Sequence, residues 1–232
     1  MGKDVIVACD FPSAGETLAF LDKLGSARPF VKIGMELYYA EGPQIVRSLK
    51  ERGYKVFLDL KLHDIPNTVK KAMAVLASLG ADIVNVHAAG TKAMMAAALE
   101  GLTRPDGSRP LLIAVTQLTS TDEETMQREL LIPETMPATV MHYARNARDA
   151  GLDGVVCSPL EAAKVHEVCG KGFLTVTPGV RFADGDKGDQ KRVMTPAEAK
   201  RIGSDYIVVG RPITAAADPA AAYERCLREF LD

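Results

Sequence analysis

The stretch KVFLDLKLHDIPNTVKKAMAVLASLG, residues 55–80, opens as a strand and closes as a helix. Its first part, KVFLDLKL (55–62), carries the near-continuous apolar run of a strand buried on both faces of a parallel sheet. Its last part, PNTVKKAMAVLASLG (66–80), repeats apolar residues at helical spacing, with Val69, Ala72, Met73 and Leu76 on one face. Pro66 stands near the first helical position and Gly80 at the stop. The stretch is one βα unit. Side chains alternate along a strand, so Leu58, Leu60 and Leu62 share one face while Asp59 and Lys61 share the other.

The same grammar runs through the chain. Strand-like runs recur at DVIVACD (4–10), FVKIGM (30–35), DIVNVHA (82–88), LLIAVTQL (111–118), GVVCS (154–158), FLTVTPGV (173–180) and YIVVGRPI (206–213). Helix starts lie between them. Ser13 with Glu16, Ser158 with Glu161 and Thr195 with Glu198 read as capping boxes, and Asp218-Pro219 reads as a further cap. The unit returns about every 25 to 30 residues without obvious self-similarity in sequence. Strict alternation of strand and helix predicts an α/β fold. Eight units in 232 residues predict a (β/α)8 TIM barrel, a single domain over 1–232. No GxGxxG or GxxxxGK[ST] supports an open nucleotide-binding sheet. Two segments without strong patterning, 119–134 and RFADGDKGDQKR (181–192), follow strands and are expected at the C-terminal face, where barrel active sites lie.

Composition narrows the function. The chain is 47% apolar and 25% charged, with net charge −2, which gives no basic footprint for nucleic acid and no polybasic membrane signal. No apolar run reaches the length of a membrane span, and the N-terminus reads directly into a strand without a signal peptide, so the expected location is the cytoplasm. Cys9, Cys157, Cys169 and Cys226 form no CxxC pair and read as small buried apolar groups.

The charges on the third strand are the anomaly. Asp59 and Lys61 point into the barrel near its C-terminal end, Asp64 follows at the turn, and Lys32 has the same placement between Val31 and Ile33. Burying one charge is costly, but charges that pair are tolerable. The bland reading is a structural ion-pair network, or an Asp64 that caps the next helix. The functional reading is an active-site floor. The eighth strand adds a phosphate site: Gly210 allows close backbone approach and Arg211 offers a fork of donors. Arg181 and Gln190 lie in the loop after the seventh strand, whose Gly, Asp and Lys content suits a lid. His87 ends the fourth strand, where a packed or solvated histidine outranks a partner of the charged network; His63 is unassigned.

DLKLHDIPNT, together with ACDFPS, FVKIG, VTQLTS, TPGVR, DQKRVMTP and VVGRPI, resembles the orotidine 5′-phosphate decarboxylase family of bacterial type over essentially the whole chain. The resemblance implies conversion of orotidine 5′-monophosphate to uridine 5′-monophosphate and CO2, the last step of de novo pyrimidine synthesis, with no metal and no organic cofactor. It implies that Asp10 and Lys32 bind the ribose hydroxyls, that Asp59 sits beside the substrate carboxylate, and that Lys61 protonates pyrimidine C6. It further implies that Thr119 bonds the pyrimidine ring and that Gln190, Gly210 and Arg211, with Arg181 beside them, hold the phosphate. Asp64 and Thr68 are then supplied to the neighbouring site of a homodimer. Two competing readings remain. One is a metal-dependent sugar-phosphate decarboxylase or aldolase on the same barrel, and the other is a non-catalytic nucleotide-binding barrel.

Overall fold

The computed structural model describes residues 3–184 and 194–232. Eight parallel strands close into a barrel in sequence order, with β1 pairing both β2 and β8. The strands are β1 (Asp4–Ala8), β2 (Phe30–Gly34), β3 (Val56–Leu62), β4 (Ile83–His87), β5 (Leu111–Val115), β6 (Gly154–Val156), β7 (Leu174–Thr177) and β8 (Tyr206–Val209). The helices are α1 (Ala14–Asp22), α2 (Met35–Glu41), α3 (Pro43–Glu51), α4 (Pro66–Ala77), α5 (Thr91–Leu102), α6 (Glu123–Glu129), α7 (Met136–Asp149), α8 (Ala162–Cys169), α9 (Pro196–Ile202), α10 (Arg211–Thr214) and α11 (Pro219–Leu231). Each expected strand is present, and the expected barrel is the fold.

Two apolar layers follow from the alternation. Leu58 and Leu60 are buried in the layer between strands and helices, and Leu62 packs against it. Inward-facing Ile6, Phe30, Phe57, Ile83, Ile113, Val176, Tyr206 and Val208 form a separate cluster that fills the barrel. The inward rows change chemistry towards the C-terminal mouth: Phe30 is followed by Lys32, Phe57 by Asp59, and Ile83 by Asn85 and His87. A greasy plug thus becomes a polar floor.

The caps explain where several helices begin. Ser158 with Glu161 and Thr195 with Glu198 form complete capping boxes, and Asp218 accepts from the Ala221 backbone. Ser13 accepts from the Glu16 backbone, which gives the cap at the start of α1. Asp64 is not a cap, since Ile65 takes that position on α4 without a side-chain hydrogen bond. The segment 119–134 contains a helix the sequence pattern did not reveal. Asp122 caps α6, whose single buried residue, Met126, leaves no periodic apolar face to read. Cys9, Cys157 and Cys226 are buried and in no disulfide, but Cys169 is only half-buried, at the end of α8.

One short device recurs in units that otherwise share no obvious sequence. Gly80-Ala81-Asp82, Gly151-Leu152-Asp153 and Gly203-Ser204-Asp205 are one device used three times at the base of the barrel. Each glycine has positive φ, at 80°, 85° and 99°, where a residue with a Cβ is disfavoured. Each aspartate accepts an N–H from the first or second residue of the preceding odd-numbered strand: Asp82 from Val56 at 2.7 Å, Asp153 from Leu112 at 2.7 Å and Asp205 from Thr175 at 2.8 Å. Lys50, Arg109 and His166 contact the same three carboxylates. This end of the barrel is tied together, and the opposite end is left for chemistry.

Candidate active site

At the mouth of the barrel, β2 and β3 bring three charges together. Asp59 is 8% exposed. Its Oδ1 accepts from Lys61 Nζ at 2.7 Å and from Asn85 Nδ2 at 2.7 Å, and its Oδ2 lies 3.5 Å from Lys32 Nζ. Lys32 Nζ also donates to Asp10 Oδ1 at 2.9 Å, which brings in the residue after β1. The order is Asp10, Lys32, Asp59, Lys61, with alternating sign. Burial favours the neutral amine of Lys32, but Asp59 and Asp10 outweigh it and hold the ammonium above the ordinary lysine range. Burial likewise favours a neutral Asp59, yet Lys32 and Lys61, with hydrogen bonds from Lys61 and Asn85, hold the carboxyl below its usual range. Both groups are charged at neutral pH.

Simple alternation does not fully account for Lys61. The β3–β4 register runs Phe57 to Ile83 and Leu58 to Val84, then resumes at Leu62 to Val86. Three residues, Asp59, Leu60 and Lys61, therefore oppose Asn85 alone. Lys61 takes a positive φ of 52°, which is rare for a residue with a side chain. A bulge at a strand end re-aims the side chain it carries. Here it turns the ammonium back over Asp59.

A cavity of about 230 Å³ lies against this network. Lys32, Asp59, Lys61 and Thr119 line it, with Gln117 and Ser120 beside them and Val156, Val176, Pro178 and Val208 as apolar walls. Thr119 and Gln117 are each 8% exposed. A second cavity of about 570 Å³ follows β7 and β8 and is lined by Arg181, Phe182, Arg211 and Arg225, among others. Arg225 stacks on the Phe182 ring at 4.2 Å and pairs with Asp184 and Glu229. Gly210 caps the short α10. A Cβ there would meet Ala8 Cβ at 3.6 Å, an ordinary contact, so the protein's own packing does not demand glycine.

Asp64 and Thr68 do not join the charged network. Both are exposed, and Asp64 Oδ1 accepts from the Ile65 backbone at 2.6 Å. His87 is half-buried with its ring 5.8 Å from that of His63. Burial, then His63 and Lys61, depress its pKa, so the imidazole beside the network is neutral at pH 7. Gln190 lies outside the described residues. Sequence reasoning missed Asn85 and Gln117. The signal for Asn85 was present: in DIVNVHA it shares the inward face with His87, and an amide at a buried strand position requires partners. Among the described residues no group of three or more His, Cys, Asp or Glu side chains is arranged to hold a metal ion. No described helix is long and apolar enough to cross a membrane.

Residues 3–226 match the family model described as Orotidine 5'-phosphate decarboxylase / HUMPS family. The chain is 58% identical to an orotidine 5'-phosphate decarboxylase of Geobacillus sp. (strain WCH70), over 99% of this chain and 98% of the other. It is 60% identical to one from Bacillus caldolyticus, over 97% of this chain and 93% of the relative. Among solved structures, an orotidine 5'-phosphate decarboxylase from Lactobacillus acidophilus superposes with a TM-score of 0.89 at 45% identity, covering 99% of this chain and 100% of that one. An uncharacterized conserved protein from Geobacillus kaustophilus gives a TM-score of 0.86 at 54% identity, covering 97% of this chain and 99% of that one. Fold, site and near-complete coverage agree, and the chain belongs to the orotidine 5'-phosphate decarboxylase / HUMPS family.

Proposed function

We propose that the chain decarboxylates orotidine 5′-monophosphate to uridine 5′-monophosphate and CO2, in the cytoplasm, without a metal or organic cofactor. The observation that carries this reading is the sign-alternating row of Asp10, Lys32, Asp59 and Lys61, centred on the buried Asp59, whose last three members line a small cavity. A volume of about 230 Å³ is below the ~300–1,000 Å³ usual for a whole drug-sized ligand, which suits one ring of a larger substrate. The cavity lined by Arg181 and Arg211 suits the phosphate end.

In this reading the bond between C6 and the carboxylate breaks, its electron pair remains on C6, and a proton from Lys61 Nζ completes the product. The ammonium supplies fixed charge where the carbanion develops and then acts as the acid. Asp59 lies beside the departing carboxylate. At ~4 Å and an effective dielectric of ~20 their repulsion is about 4 kcal/mol, relieved as CO2 leaves. The two flanking lysines screen it, so stabilisation by Lys61 ranks first. Asp10 and Lys32 take the ribose hydroxyls, Thr119 takes the ring, and Arg181, Gln190, Gly210 and Arg211 take the phosphate.

The active unit in this reading is a homodimer in which Asp64 and Thr68 serve the neighbouring site. Their exposure supports it, as does a set of exposed apolar side chains on segments after β2, β3 and β5, including Tyr39 at 70%, Ile65 at 66% and Leu131 at 81%. The test is ultraviolet loss of orotidine 5′-monophosphate by purified protein in excess EDTA. Conversion to uridine 5′-monophosphate is the expected result. No conversion, with turnover of a keto-sugar phosphate restored by Mg2+, would replace this reading with a metal-dependent one. Binding of the nucleotide without turnover in either assay would make the chain a non-catalytic barrel.

A further inference from the structure

The geometry points to Asn85 as a positioning residue that sets the Lys61–Asp59 pair for proton transfer; this inference rests on the decarboxylase reading above. Asn85 is 1% exposed on the inward face of β4. A buried amide is costly unless both ends are bonded. Both ends are used here, and on the two residues the reaction needs. Its Oδ1 accepts from the Lys61 backbone N–H at 2.8 Å, and its Nδ2 donates to Asp59 Oδ1 at 2.7 Å. The partners fix the orientation, because a backbone N–H can only donate and an ionised carboxylate can only accept.

The bulge gives Asn85 its task. Three residues of β3 face one residue of β4, so the ordinary ladder is interrupted at Lys61. Asn85 reaches into that interruption and satisfies the N–H of the residue with positive φ. It also shares Asp59 Oδ1 with the Lys61 ammonium. One amide thus holds the backbone of the proton donor and the carboxylate that aims its side chain. Asn85 itself is not among the residues lining the cavity, so its effect on the reaction runs through Lys61 and Asp59.

Two substitutions test this. Asn85→Ala removes both bonds and leaves the phosphate site untouched. Because displacement of a reacting group by ~1 Å can cost about 10²-fold in rate, kcat should fall by about 10- to 100-fold with KM within about threefold of the wild type. Asn85→Asp keeps the size and the acceptor for Lys61 N–H, but opposes a second carboxylate to Asp59. Two carboxylates so close share a proton. The protonated form donates to Asp59 as the amide does, and the ionised form repels it. The kcat of Asn85→Asp should therefore rise towards the wild-type value as pH falls through the titration of that pair, while Asn85→Ala stays low throughout. The other titratable groups of the Asp59 network and of the neighbouring His87 are Lys32, Lys61, Asp10 and His63, and all are common to the three proteins, so the difference between profiles belongs to position 85.

A kcat for Asn85→Ala within twofold of the wild type would overturn the proposal. So would a pH profile of Asn85→Asp parallel to that of the wild type. If the alanine variant does not fold, the aspartate variant decides alone. The wild type in the same buffers separates the two readings: absence of its turnover sinks the decarboxylase, whereas normal wild-type turnover with unperturbed variants sinks only the role of Asn85.

Discussion

Replacing Asp59 by Asn should destabilise the protein, although catalytic positions often gain stability when neutralised. The reason is arithmetic on the network. At an effective dielectric of ~20, the 3.5 Å separation of Asp59 from Lys32 corresponds to about 5 kcal/mol of gross attraction, from which the cost of burying both charges must be subtracted. Removing one partner of a buried pair leaves the other uncompensated and typically costs about 3–5 kcal/mol. Asp10 still pairs with Lys32 at 2.9 Å, so Asp59→Asn should fall at the low end, about 3 kcal/mol. For a chain of this size that lowers Tm by roughly 6–12 °C. The chain has no tryptophan, so far-ultraviolet circular dichroism is the natural probe. The pH dependence has a definite sign. The folded pKa of Asp59 lies below its unfolded value near ~3.9, so its contribution is present above that value and is lost as pH falls through the depressed folded value. The difference between wild type and variant should be full at pH 7 and shrink below about pH 4. An unchanged or raised Tm at pH 7, or a difference that persists in acid, would refute the claim that these charges support one another.

Arg211→Ala should lower kcat/KM by roughly 10- to 150-fold, the worth of about 1.5–3 kcal/mol for a charge-assisted hydrogen bond, and unchanged kcat/KM would remove Arg211 from the substrate site. If Asp64 serves the neighbouring site, mixing inactive Asp64→Ala and Lys61→Ala proteins should restore activity through hybrid dimers; no rescue after verified subunit exchange would mean a self-contained site. Asp153→Ala at the base of the barrel should cost about 2 kcal/mol by freeing the Leu112 N–H and Arg109, seen as a lower Tm, with kcat unchanged. A matching loss of kcat would show that the two ends of the barrel are not independent.

The barrel was legible because its strands are short apolar runs between helices whose caps are written in local sequence. Ser158, Thr195 and Asp218 do in the structure what their spacing predicts. The charged floor was legible for the same reason, since Asp59 and Lys32 interrupt runs that are otherwise apolar. Lys61 shows the limit of that logic. It faces the cavity beside Asp59, as alternation predicts, but it does so from a bulge with positive φ, and a bulge depends on the register of the neighbouring strand. Asn85 was overlooked because a lone amide in a strand carries no motif; its meaning appears only when β3 and β4 pair. The three Gly-X-Asp returns escaped notice because so short a repeat is invisible until each aspartate is seen to hold an N–H near the start of a strand. Asp64 is the reverse case, with a clear motif and no partner in the charged row.

The central claim is that the charges at the end of β3 are the reaction machinery, with Lys61 as proton donor. Its most direct test is kcat/KM for Lys61→Ala beside the wild type, on orotidine 5′-monophosphate in EDTA, with circular dichroism to verify the fold. Loss of the general acid alone removes about 10²–10⁴-fold, and loss of the fixed charge adds to it. A folded variant slowed by at least about 10⁴-fold is the predicted result. A folded variant within about tenfold of the wild type would contradict the assignment, since a general acid contributes at least about 10²-fold.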